Sequence, residues 1–140
     1  MQYWDASALV SLCIDEDDSA MLRRLVKAGL VTWSLSAVEI ASAIERRRRD
    51  GSLTQAEHAA ARTGLRDLAA AWTEIAALDP VRDRALRLVA THALPAANAM
   101  QLGAALVAVA DRPGGHAFVC VDRRLRDAGL REGFHLLPED

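Results

Sequence analysis

Asp5, Glu39, Asn98 and Asp122 are far apart in the chain, yet each stands at the start of a segment with helical periodicity. Three are carboxylates and one is an amide. Two like charges about 5 Å apart repel by roughly 3 kcal/mol at an effective dielectric near 20, so such a cluster is a poor way to stabilise a fold unless a cation joins it. Oxygen donors without a His or Cys set favour Mg²⁺ or Mn²⁺ over Zn²⁺. A hard divalent ion that keeps waters and binds phosphate oxygens points to metal-assisted phosphodiester hydrolysis. Each acid also has a structural role open to it. Asp5 and Asp122 have the positions of helix N-caps, and Ser36-x-x-Glu39 matches a capping box. Taken singly, the cap reading is the stronger; the case for chemistry rests on convergence.

Convergence depends on the elements that carry these residues. Gln2 to Asp5 reads as a first strand, followed by a helix from about Ala6 to Cys13. Asp15 to Asp18 read as the cap of a helix expected over 19–28, stopped by Gly29. Val31 to Ser34 reads as a second strand. A helix from Ser36 runs out into Arg46 to Arg49, where arginine suits the C-terminal end of the dipole. Thr54 opens a helix through about Trp72. Thr73 to Leu78 gives a third strand, and Asp79-Pro80 reads as the cap and first residue of a helix to His92. Leu94-Pro95 begins an apolar helix, Ala117 to Val121 is a fourth strand, 122–128 is a short helix, and Phe134 to Leu137 is an edge-strand candidate. Strands separated by helices predict an α/β domain, a parallel sheet of four to five short strands with helices on both faces. Ligands in such sheets collect beyond the carboxyl ends of the strands, where Asp5 and Asp122 lie, with Glu39 about one turn into its helix.

Composition narrows the class. A chain of 140 residues has the size of one domain. It is 51% hydrophobic and 26% charged, which is the balance of a compact protein rather than a disordered one. A formal charge of -2 with a pI near 6.1 argues against a broad electrostatic footprint for nucleic acid, so any RNA contact must be local. Lys27 is the only lysine. Arginine suits bidentate phosphate pairing, but compositional bias explains the excess more simply. Cys13 and Cys120 have no metal-ligand spacing and form no dense disulfide framework, and the chain opens directly into a strand pattern, so a reducing cytoplasm is expected. The apolar stretch near Met100 to Ala110 is too short for a bilayer and reads as a buried helix.

The chain holds four segments in order: Tyr3-Trp4-Asp5-Ala6-Ser7-Ala8-Leu9-Val10, Ser36-Ala37-Val38-Glu39-Ile40-Ala41-Ser42-Ala43-Ile44, Leu94-Pro95-Ala96-Ala97-Asn98-Ala99-Met100-Gln101-Leu102 and Phe118-Val119-Cys120-Val121-Asp122-Arg123-Arg124-Leu125. Together they resemble the four motifs of PIN-domain ribonucleases, and above all the VapC toxins of bacterial toxin-antitoxin pairs. They occur in the family's order and span nearly the whole chain. The resemblance implies a single PIN-like domain and an endoribonuclease dependent on Mg²⁺ or Mn²⁺. Its substrate would be single-stranded segments of tRNA, rRNA or mRNA. It also implies a cognate antitoxin that holds the enzyme inactive and a homodimer. Asp5, Glu39 and Asp122 match the family's metal-binding acids, and Ser7 matches a small hydroxyl residue beside the first acid.

Two positions depart from the pattern. Asn98 stands where the family has Asp; its amide oxygen can ligate a cation, but the charge is gone and metal affinity should fall. It is either a natural substitution marking an impaired nuclease or an introduced inactivating change, and the intact Ala99-Met100-Gln101-Leu102 beside it favours the second. Cys120 stands where Thr or Ser often precedes the last acid by two positions, and it is a poorer hydrogen-bond donor.

Arg46 to Arg49 point around most of their helix and read first as a solvated helix end. Arg123 and Arg124, beside Asp122, are placed to meet a phosphate or an antitoxin carboxylate. The histidines follow no ligand spacing and read as surface or loop residues, and the tryptophans as core. Ala8 to Ile14 and Ala56 to Leu68 are apolar enough to serve as partner surfaces or as core. A non-catalytic PIN-like binding module, acting through antitoxin or dimer contacts, is the competing reading. A phosphotransfer receiver also carries acids at strand ends but needs a lysine near a late strand, and Lys27 is not there.

Overall fold

The computed structural model describes residues 1–140. Five strands form one all-parallel sheet: β1 Gln2–Trp4, β2 Val31–Trp33, β3 Thr73–Ile75, β4 Ala117–Val119 and β5 His135–Leu137, in the order β3-β2-β1-β4-β5. Seven helices connect them: α1 Ala6–Cys13, α2 Ser19–Leu25, α3 Ser36–Arg49, α4 Gln55–Ala71, α5 Leu78–His92, α6 Ala96–Ala108 and α7 Arg123–Glu132. The chain is thus α/β with helices on both faces of a parallel sheet. No helix is long and apolar enough to cross a membrane.

Alternation along the strands divides the core in two, because successive side chains of a strand point to opposite faces. Tyr3, Trp33 and Phe118 face the helices that follow β3, packing with Val81, Leu88, Leu102 and Leu125. Trp4 and Val119 face the other way, onto Leu9, Leu22, Ile40, Ile44 and Ala61. Helices α1 to α4 therefore cover one face, and α5 to α7 the other. That is the arrangement right-handed crossovers require when the chain steps from β1 outward to β3 and then returns across β1 to β4. The sheet switches direction between β1 and β4, where Tyr3 pairs with Phe118 and Trp4 with Val119. Crevices at such a switch, beyond the strands' carboxyl ends, are where ligands bind.

Local chemistry fixes several boundaries. Thr54 and Glu57 form a capping box at the start of α4. Gly103 lets α6 approach α5 closely: a Cβ there would lie 2.8 Å from the Val81 carbonyl oxygen. Strand β4 stops at Val119, short of the expected Val121, because the Val121 N–H is taken by Ser7 Oγ at 3.1 Å.

Other expectations are corrected. Helix α2 ends at Leu25 and continues as a 3-10 turn over Val26–Ala28; Asp18 makes no side-chain cap, and Ser19 Oγ instead accepts from the Glu16 N–H at 2.8 Å. The third strand ends at Ile75, and α5 begins at Leu78 with Ala77 as its cap. Asp79 and Pro80 sit inside the first turn, where a missing N–H has no partner to lose. Helix α7 runs on to Glu132, where Gly133 turns it in the left-handed region at φ 110°. The tryptophans fill core as expected. His92 does not lie at the surface: its side chain is 6% exposed, with Nε2 2.6 Å from Glu132 Oε2.

Candidate functional site

A cavity of about 530 Å³ opens at the β1/β4 switch, lined by Asp5, Ser7, Glu39, Asn98 and Asp122 together with Glu16, Arg46 and Arg47. All four positions singled out by chemistry, and Ser7, thus share one space. Each reaches it by a different route.

Asp5 follows the last residue of β1 and caps α1. Its Oδ1 accepts from Ser7 Oγ at 2.8 Å and the Ala8 N–H at 3.3 Å, and its Oδ2 from the Ser7 N–H at 3.2 Å. Burial outweighs these donors and pushes its pKa from 3.8 up to about 6. Ser7 joins both ends of the switch, since its Oγ also accepts from the Val121 N–H. Asp122 caps α7 through Oδ1, which accepts from the Leu125 N–H at 3.0 Å. For these two acids capping and cavity lining coexist: the backbone N–H groups that fix each carboxylate also position it.

Glu39 differs. The expected Ser36/Glu39 capping box does not form; the N-cap of α3 is Leu35 in an α conformation without a side-chain cap bond. Both side chains turn inward instead, Ser36 to Thr32 and Gln101, and Glu39 to Gln101. The structural role that competed for Glu39 is therefore absent. Burial raises its carboxyl above the ordinary value, the Gln101 amide holds it down, and the charge on Asp5 adds to the rise. Asn98, third residue of α6, reaches the cavity half-buried.

The remaining sequence candidates divide. Cys120 is fully buried beneath the cavity, its Sγ 3.8 Å from Ser7 Oγ and 3.5 Å from the Asp122 carbonyl oxygen. Burial, and then the charge of Asp5, push its thiol far up, so it is a neutral packing group. Arg123 is exposed and points away, 3.7 Å from Asp140, in a separate surface depression with Arg126. The basic residues of the cavity are Arg46 and Arg47 from the arginine run; Arg47 pairs with Glu16 at 2.8 Å, while Arg46 is exposed at the rim. Of the two apolar segments considered as partner surfaces, Ala8 to Ile14 is core, with only Leu12 and Cys13 half-buried, whereas α4 buries Ala61 and leaves most of its length outside.

Sequence reasoning passed over Gln101. It is the only polar residue between Ala99 and Ala110, and a lone polar group in an apolar helix must find partners when buried. Its signal was present in the sequence, but the partners were not.

No three His, Cys, Asp or Glu side chains form a group placed to hold an ion by themselves. The donors around the cavity are carboxylate and amide oxygens, and two of the carboxylates are desolvated. Such a set fits a hard divalent cation that keeps several waters and takes one or two carboxylates from the protein. No protein-family model matches the chain, and no curated protein matches it.

Proposed function

We propose that this chain is a divalent-metal-dependent endoribonuclease of the PIN type, acting as the toxin of a toxin-antitoxin pair and weakened by Asn98. The observation that carries the reading is the gathering of Asp5, Glu39, Asn98 and Asp122 on one cavity at the sheet's switch point. Glu39 adds weight because its alternative role as a helix cap is not taken up.

In this reading Asp5, Glu39, Asp122 and the Asn98 amide oxygen would hold Mg²⁺ or Mn²⁺. A bound ion of this kind supplies Lewis-acid stabilisation of phosphoryl charge and an acidified water. Ser7 fixes Asp5 in one rotamer through paired hydrogen bonds, and the α7 N-terminus does the same for Asp122. Arg46 at the rim offers a cation for a flanking phosphate, which a cavity otherwise rich in acids needs to admit a polyanion. The RNA substrate, the cognate antitoxin, a homodimeric assembly and a cytoplasmic setting belong to the same proposal, supported by the four-motif resemblance.

The second reading, a non-catalytic PIN-like binding module, is favoured by one observation: Asp5, Glu39 and Asp122 line the cavity without forming a three-acid group placed to hold an ion by itself. Calorimetric titration with Mn²⁺ separates the two. Binding that tightens in Asn98→Asp, with RNA cleavage rising alongside, supports the nuclease; no ion binding in either protein supports the module.

A further inference from the structure

A chain of buried hydrogen bonds runs from the backbone of β1 to Glu39, and its polarity can be worked out bond by bond. Thr32 Oγ1 donates its single proton to the Trp4 carbonyl oxygen at 2.7 Å. The 2.7 Å contact between Thr32 and Ser36 must then be a donation from Ser36 Oγ. With its proton spent, Ser36 Oγ accepts from Gln101 Nε2 at 3.0 Å. From the other side, Tyr3 O–H donates to Gln101 Oε1 at 2.7 Å. Both ends therefore impose the same orientation on the amide, and the remaining Nε2 proton points at Glu39 Oε2. Tyr3, Thr32, Ser36 and Gln101 are each at most 1% exposed, so no water competes for the bonds among them.

We infer that Gln101 is a positioning residue: its amide, locked between the Tyr3 hydroxyl and the Trp4 carbonyl–Thr32–Ser36 chain, holds the Glu39 carboxylate aimed into the cavity for a divalent cation. The inference rests on the divalent-ion reading above and adds to it the residue that sets one ligand's geometry. A core-filling role would be met equally well by an apolar side chain. The amide is needed because no backbone N–H at the start of α3 holds the Glu39 carboxylate, in contrast to Asp5 and Asp122. Partners that orient a ligand in this way are worth roughly 10–100-fold in metal affinity.

The test is the Mn²⁺ dissociation constant of the folded protein, read from the electron paramagnetic resonance signal of free Mn²⁺, in the chain as it stands and in the Asn98→Asp background. Gln101→Met keeps length and removes both amide groups, and should weaken binding by about tenfold or more. Tyr3→Phe keeps the ring stacked on Phe118, at 5.6 Å between centroids, and should weaken it about threefold, which keeps the test alive should Gln101→Met not fold. Leu88→Ala, a core truncation on α5, should lower stability and leave the constant unchanged. Equal Mn²⁺ affinity in the parent, Gln101→Met and Tyr3→Phe would overturn the positioning role while leaving the divalent-ion reading intact. Weakening by Leu88→Ala to the same degree would reduce the effect to general destabilisation and overturn it too. No Mn²⁺ binding in the parent or in Asn98→Asp would overturn the divalent-ion reading, and this inference with it.

Discussion

Asp5 should destabilise the metal-free protein at neutral pH, and removing its charge should stabilise it. Its carboxyl is raised from 3.8 to about 6, chiefly by burial. An acid whose folded pKa is raised binds its proton more tightly in the native state. The stabilisation is therefore complete below the unfolded value and is lost as pH climbs through the folded value. A rise of about two units at 1.36 kcal/mol each corresponds to about 3 kcal/mol, an upper bound for the stability lost through this one group between about pH 3.5 and pH 7.5. The amide of an Asp5→Asn variant does not titrate, and its oxygen still accepts a cap bond, so the substituted position contributes a flat term over this range. The assay is urea denaturation in EDTA at several pH values. The stability of Asp5→Asn relative to the parent should climb by about 2–3 kcal/mol from acid to neutral pH. Glu39 titrates in both proteins and largely cancels in the difference. A divalent ion should stabilise the parent and leave the variant unmoved. A difference independent of pH, or one that falls as pH rises, would refute the argument that Asp5 is a desolvated carboxylate awaiting a cation.

Arg46→Ala should weaken binding of a single-stranded RNA oligonucleotide several-fold and reduce the slope of log affinity against log salt by about 1 or less, measured by fluorescence anisotropy. Arg47→Ala should do less, because Arg47 is already paired with Glu16. Gly103→Ala places a methyl group 2.8 Å from the Val81 carbonyl oxygen and should cost about 1–3 kcal/mol in chemical denaturation by forcing α5 and α6 apart.

Much of the architecture was legible in the sequence for a physical reason: the inner strands β1, β2 and β4 are short, largely apolar runs, and the helices lie between clear stops such as Gly29 and Asp50-Gly51. Parallel pairing followed from the alternation of strands and helices, and with it the meeting of Asp5 and Asp122 beyond adjacent strands. Boundaries were misread where a side chain, rather than a propensity, decides them. Ser7 Oγ captures the Val121 N–H and shortens β4, and Ser19 rather than Asp18 organises the entry to α2. The same limit applied to the site. Ser36-x-x-Glu39 is a capping box by spacing, and only the buried Gln101 amide, brought across from α6, draws both side chains inward. Arg123 is adjacent to Asp122 in sequence, but as the first residue of α7 it turns outward toward Asp140, while Arg46, seven residues beyond Glu39, lies two helical turns along the same face.

The central claim is tested most directly by cleavage of a single-stranded RNA substrate by the Asn98→Asp protein with Mn²⁺, with EDTA, and after the further substitution Asp5→Asn. The account predicts cleavage with Mn²⁺ that exceeds that of the Asn98 chain by about tenfold or more, that EDTA abolishes, and that Asp5→Asn removes. Cleavage that persists in EDTA or without the Asp5 carboxylate, or no cleavage by Asn98→Asp at any Mn²⁺ concentration, would contradict it.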